Sequence, residues 1–136
     1  MVLPLRATTR VRRALNPLLG AFADDVPPLA ALHHVGRRSG TRYRTPMLAF
    51  PTARGIVLAL TYGPDVQWLR NVMAADGARM VRGGEVLVLA APQLLRGPEG
   101  ARLVPAWTRA ALRLLKVDEF VELAVVRRGS PARGRP

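Results

Sequence analysis

The sequence has 136 residues, the length of one ordinary domain, and 49% of them are hydrophobic, which allows a packed core and argues against disorder. It holds no cysteine, which excludes disulfides and thiolate metal sites, and its only histidines, His33 and His34, are neighbours that would point to opposite faces of a strand, so no metal site is expected. The formal net charge is +12, carried almost wholly by arginine with Lys116 the one lysine, and such a field attracts nucleic acid, anionic membrane or a multiply charged small ligand.

Residues 1–27 read as a basic helical leader. Arg6, Arg10, Arg12 and Arg13 precede an apolar run that loosely imitates a signal peptide, but Asn16 and Pro17 interrupt it. The leader is instead an amphipathic helix that either packs on the domain or lies on an anionic membrane surface. No apolar run approaches the roughly 18 residues a membrane-crossing helix needs. The expected location is the cytoplasm, with peripheral association with the inner face of the plasma membrane as an alternative. Asp24, Asp25 and the Pro27-Pro28 pair end the leader.

The domain proper is read over residues 28–126. Leu29 to Val35 suits a strand, Gly36 to Gly40 a turn, and Tyr43 to Phe50 a returning strand whose Pro46 belongs on a sheet edge or a bulge. Pro51 to Gly55 turns the chain again. Ile56 to Tyr62 is a continuous apolar run, as expected of a strand buried on both faces. Val66, Leu69, Val72 and Met73 recur at helical spacing, which predicts a short helix from Val66 to Ala75 ended by Gly77. Extended structure resumes at Met80, Gly83-Gly84 makes a tight hairpin, and Glu85 to Ala91 is the next strand. Pro92 to Gly100 reads as a loop. Leu103 to Leu115 predicts a helix with Trp107, Ala111 and Leu114 or Leu115 on its apolar face. Phe120 to Val126 is a last strand, and residues 127–136 read as a disordered cationic tail. Hairpin-linked strands with few helices predict an α+β domain built on a mostly antiparallel sheet or small barrel.

Two segments carry chemistry. Gly36-Arg37-Arg38-Ser39-Gly40, followed by Arg42 and Arg44, joins glycines that let backbone N–H groups approach an anion to side chains shaped for phosphate or carboxylate. It is either an anion cradle or a solvated hairpin tip. Thr61-Tyr62-Gly63-Pro64-Asp65, leading into Trp68 and Asn71, joins a buried strand to a helix start, where loose backbone amides can receive a partly anionic ring. Trp68 either lies beside a flat ligand or packs in the core. Asn71 either holds a loop or caps the helix. The serines are only Ser39 and Ser130, no nucleophile–base pair is evident, and neither a Rossmann fingerprint nor a P-loop is present.

These two segments, in this order, resemble the deazaflavin-dependent nitroreductase family: His34-Val35-Gly36-Arg37-Arg38-Ser39-Gly40 with Arg42-Tyr43-Arg44-Thr45-Pro46, then Leu60-Thr61-Tyr62-Gly63-Pro64-Asp65 with Trp68-Leu69-Arg70-Asn71. The resemblance spans about residues 10–126 and implies a split β-barrel of about six strands with an N-terminal, a central short and a C-terminal helix. It implies the anionic coenzyme F420, with FMN as the alternative. Arg37, Arg38, Ser39, Gly40, Arg42 and Arg44 would hold the cofactor tail. Thr61, Tyr62 and Gly63 would hold the ring, with Trp68 and Asn71 anchoring the helix behind it. The implied activity is an F420-dependent reductase acting on a quinone, nitro compound or enone. The product's proton would come from water, Tyr62 or a histidine, with Tyr62 the candidate catalytic residue. The C-terminal tyrosines that line the family's acceptor site have no counterpart here, where Phe120 stands instead, so a non-catalytic F420 or flavin carrier is the alternative. Few aromatics and no recognised motif argue against a nucleic-acid-binding module, and no nucleic-acid partner is expected. The oligomeric state is read as monomer or homodimer.

Overall fold

The computed structural model describes residues 23–25, 27–60 and 65–129. Six antiparallel strands close into a barrel in the order β1-β2-β3-β6-β5-β4. They are β1 (Leu29–Val35), β2 (Arg42–Pro51), β3 (Gly55–Ala59), β4 (Gly77–Arg82), β5 (Glu85–Arg96) and β6 (Glu119–Gly129). Among the described residues three helices accompany them: α1 (Gln67–Ala75), α2 (Pro98–Ala101) and α3 (Ala106–Leu114). The predicted α+β split barrel is the fold observed. The leader up to residue 22 and the tail from residue 130 lie outside the described residues.

The apolar runs explain the closure. β3 is buried on both faces, as its sequence predicts: Ile56 and Leu58 enter the barrel interior with Leu32, Met80, Leu87 and Leu123, while Val57 faces a second cluster outside. Leu69 and Val72 of α1 join the interior cluster and close one end of the barrel. The outer cluster packs Phe50, Val57 and Phe120 beneath Val104, Leu112 and Val117, which arrive with α2, α3 and the turn after them.

The barrel is split between β2 and β3. These strands pair only from Ala49↔Leu58 to Pro51↔Ile56, so among the described residues Arg42 to Leu48 are laddered on one side alone, to β1. The split opens at the end where the β1–β2 turn, α1, and the ends of β3 and β5 gather.

Three readings of the sequence are corrected. The loop expected over Pro92 to Gly100 is strand to Arg96 and helix α2 from Pro98: β5 continues through a bulge between Ala90 and Gln93, with Ala91 at φ 55°. Pro92 sits where the ladder is already interrupted, so its missing N–H costs no pairing, and Arg54 donates to the carbonyls of Ala91 and Glu122 across the bend. The helix near the C-terminus turns the other face inward: Thr108 and Leu112 are buried, whereas Trp107 is 62% and Leu114 85% exposed. The rotation is fixed by Arg109, whose Nε and Nη2 donate to the carbonyls of Ala101 and Val104. Trp107 keeps one edge-on contact with Phe50. Finally, residues 127–129 belong to β6, paired with Val86 to Val88. The helix before β4 ends as placed, but Asp76 rather than Gly77 takes the left-handed position, at φ 57°.

Candidate functional site

The turn from Gly36 to Gly40 is built by its own sequence. Gly36 N–H donates to the Thr41 carbonyl (2.7 Å) and Gly40 N–H to the Gly36 carbonyl (2.9 Å). Gly40 sits at φ 74°, where a side chain would be strained. Ser39 Oγ accepts from Thr41 N–H (3.1 Å) and donates to Thr41 Oγ1 (2.9 Å), so it shapes the turn from within.

α1 holds this turn from the side. Gln67 and Asn71 are one helical turn apart and face it, while Leu69 and Val72 face the barrel. Asn71 is only 4% exposed. Its Oδ1 accepts from Arg37 N–H (3.2 Å) and from Arg37 Nη1 (2.9 Å), and Gln67 Oε1 accepts from the same Nη1 (3.0 Å). Both Nη1 hydrogens are thereby engaged, which leaves Nε–H and Nη2 as the guanidinium edge for a ligand.

The same network fixes a histidine. Because Asn71 Oδ1 is taken by Arg37, its Nδ2 faces His34 Nδ1 (3.0 Å), which must therefore be the acceptor. The imidazole proton then resides on Nε2 and is donated to Thr45 Oγ1 (2.9 Å). His34 is 7% exposed and stacks on Tyr43, centroids 5.4 Å apart. Burial is the first cause that lowers its pKa and the neighbouring His33 the second, so the neutral ring that this network requires is also the favoured one.

Around these groups lies an open cavity of about 280 Å³, lined by His34, Tyr43, Gln67 and Asn71 on one side and by Gly36 to Ser39 on the other. No acid lines it. Among the described residues, the Arg38 side chain has no hydrogen-bond or ion-pair partner, and it faces this cavity with the free edge of Arg37. The arrangement can hold an anion, with the imidazole kept neutral beside it.

Of the residues singled out in the sequence, the structure brings Arg37, Arg38, Ser39 and Asn71 together at this cavity. Gly40 ends the turn. Strand alternation sends Arg42 and Arg44 to the opposite face from His34 and Tyr43; their ladder partners are Val35 and His33, and Arg44 pairs with Asp24 at 3.0 Å. Trp68 packs against the interior cluster. Thr61, Tyr62 and Gly63 lie outside the described residues. Tyr43, Gln67 and Thr45 are not among the site residues expected from the sequence, where His34 enters only as a metal ligand or proton donor. The signal for them was the hairpin: a turn at Gly36–Gly40 puts Tyr43 opposite His34.

The network makes a pH prediction. Folding withholds protons from His34 and, for the same leading reason, from His33. Stability should be full above the ordinary imidazole pKa of about 6.5 and should fall as pH drops from there through the lower folded values. Melting temperatures from pH 8 to pH 5 check this, and His34→Gln should flatten the slope. An equal slope in that variant would remove His34 from the linkage.

Solved structures share the fold. A protein described as an F420-H2 dependent reductase aligns with a TM-score of 0.52 and 19% identity over 70% of this chain and 93% of its own. HutZ, the heme storage protein from Vibrio cholerae, aligns with a TM-score of 0.57 and 8% identity over 85% and 94%. A conserved hypothetical protein from Mycobacterium tuberculosis aligns with a TM-score of 0.54 and 15% identity over 88% of both chains. At these identities the likeness establishes the barrel and not the activity. No family model and no curated protein matches the sequence.

Proposed function

We propose that this chain binds coenzyme F420 by its anionic tail at the Gly36–Gly40 turn and works as an F420-dependent reductase toward a small electron-poor acceptor such as a quinone, nitro compound or enone. The observation that carries the proposal is Asn71, which ties the turn to α1 and presents Arg37 to an acid-free cavity beside Arg38. A phosphodiester or carboxylate fits this donor set, because guanidinium edges form paired charge-assisted hydrogen bonds with such groups. The fold shared with a reductase of that cofactor supports the same reading.

When bound, the deazaflavin supplies the hydride chemistry; the chain's residues bind, orient and shield. Arg37 and Arg38 anchor the tail. The split between β2 and β3 leaves an edge, Arg42 to Leu48, along which a flat group can lie from the turn toward the end of β3. His34 keeps its Nε2 proton on Thr45 and so serves the shape of the site rather than proton transfer.

Titration of the purified protein with oxidised F420 and with FMN, followed by fluorescence or calorimetry, tests the binding. F420 should bind at one per chain and at least tenfold more tightly than FMN, whose shorter tail offers fewer anionic groups to the arginines. Equal or weaker F420 binding would overturn the cofactor assignment. The enzyme is then separated from a carrier by acceptor-dependent oxidation of reduced F420 with a quinone and a nitroarene. Tight binding without turnover would favour the carrier, a reading to which Phe120 contributes: at 1% exposure it is core and lines no acceptor surface at the turn.

A further inference from the structure

A second and larger cavity lies away from the turn. It occupies about 570 Å³ between α2, α3 and the start of β6, within the usual size of small-molecule sites. We propose that it binds an amphiphile with an apolar body and a single carboxylate- or phosphate-type head. This inference is independent of the F420 reading.

The floor is apolar and well supported. Ala101, Leu112, Val117 and Phe120 line it, and all belong to or pack on the outer hydrophobic cluster. α2 lies directly on Phe120: a Cβ at Gly100 would stand 2.1 Å from the ring, so only glycine allows the approach. Arg109 braces the roof through its bonds to the carbonyls of Ala101 and Val104. The space is therefore set by a packed frame.

The rim is cationic. Arg102, which ends α2, and Arg113, in the last turn of α3, are both exposed and line the cavity from opposite helices. Among the described residues neither side chain has an ion-pair or hydrogen-bond partner. Lys116 and Arg109 add positive charge to the lining, against the single acid Asp118. An apolar floor under unpartnered guanidinium groups selects a ligand that is apolar at one end and anionic at the other. A neutral hydrocarbon would leave the arginines unanswered, and a small bare anion would leave the floor empty.

Calorimetric titration of the full chain with decanoate, decyl phosphate, decanol and butyrate tests this. Decanoate or decyl phosphate should bind at one per chain, at least tenfold more tightly than decanol and than butyrate. Which of the two anions binds more tightly identifies the head. In the double variant Arg102→Ala/Arg113→Ala that advantage over decanol should fall by about tenfold or more, with the melting temperature unchanged because both residues are on the surface. Decanol binding as tightly as the anions would overturn the proposal, as would an unchanged advantage in the double variant. Loss of anion binding in Arg37→Ala/Arg38→Ala, but not in Arg102→Ala/Arg113→Ala, would place the anions at the turn and overturn it equally.

Discussion

Replacing Arg37 and Arg38 together by alanine is expected to weaken F420 binding by about 2–4 kcal/mol, or about 30- to 900-fold in Kd. The two arginines do not contribute alike. Arg38 has no partner among the described residues and is available to the ligand as it stands. Arg37 is already fixed by Asn71 and Gln67, so little side-chain entropy remains to be lost when an anion meets its outer edge. Arg37→Ala alone should therefore cost more than Arg38→Ala alone. The two sit in one turn, so their effects should not add fully. Binding to the wild type should weaken with salt, and that dependence should shrink in the double variant. Fluorescence titration at two ionic strengths measures both. An unchanged affinity in the double variant would remove the tail from this turn.

A different outcome is expected at Arg42 and Arg44. Both belong to the same basic run, yet the β1–β2 register sends them to the other face, with Arg44 on Asp24. Their replacement by alanine should alter the long-range attraction of anions more than the bound contacts, so association should slow while dissociation changes little.

The sequence carried the barrel strand by strand wherever patterning was local. β1 is legible from Leu29 to Val35 because Gly36 ends it, and the Gly83-Gly84 hairpin because both residues adopt positive φ, 58° and 75°. What failed was tertiary. Ala91-Pro92 reads as a strand end, and only pairing with β6 and the Arg54 bonds carry the strand through its bulge. Around α3, Trp107-Ala111-Leu114 within the helix and Thr108-Leu112, continued back to Val104 before it, both have helical spacing. The first is the more apolar, yet the second is inward, because Arg109 fixes the rotation. At the site, the anion-binding turn was visible as glycine and arginine. The His34–Asn71–Arg37 connection was not, since it joins residues 34 and 37 positions apart through atoms whose roles depend on one another. The large cavity escaped for the same reason: Gly100 reads as a loop residue until Phe120 is found beneath it.

Asn71 is the position where stability and binding should change together. Asn71→Leu keeps the branched shape but deletes the acceptor for Arg37 N–H and Nη1 and the donor to His34 Nδ1. Buried polar groups left without partners cost about 1–3 kcal/mol each, partly relieved here because Arg37 reaches water, so a loss of about 2–3 kcal/mol is expected in urea unfolding at pH 7.5. F420 binding should weaken by about tenfold through the loosened turn. Asn71→Asp separates the two roles. A carboxylate still accepts from Arg37, but its second oxygen now faces His34 Nδ1, an acceptor against an acceptor. The neutral ring can answer this by moving its proton to Nδ1, with Thr45 then donating to Nε2, but the carboxylate charge beside it favours the fully protonated ring, so the folded pKa of His34 should rise above its ordinary value of about 6.5. The sign of the linkage then reverses. A group whose folded pKa is raised contributes stability that is complete below the unfolded value and lost as pH climbs through the folded one. The windows differ: the wild type gains stability as pH rises toward about 6.5 and is level above it, whereas this variant should lose stability between pH 7 and pH 8. Urea unfolding of both proteins at pH 5.5, 7 and 8 decides the matter. Parallel pH slopes would show that Asn71 does not face the imidazole nitrogen, and the connection from helix α1 through His34 to the turn would fall with it.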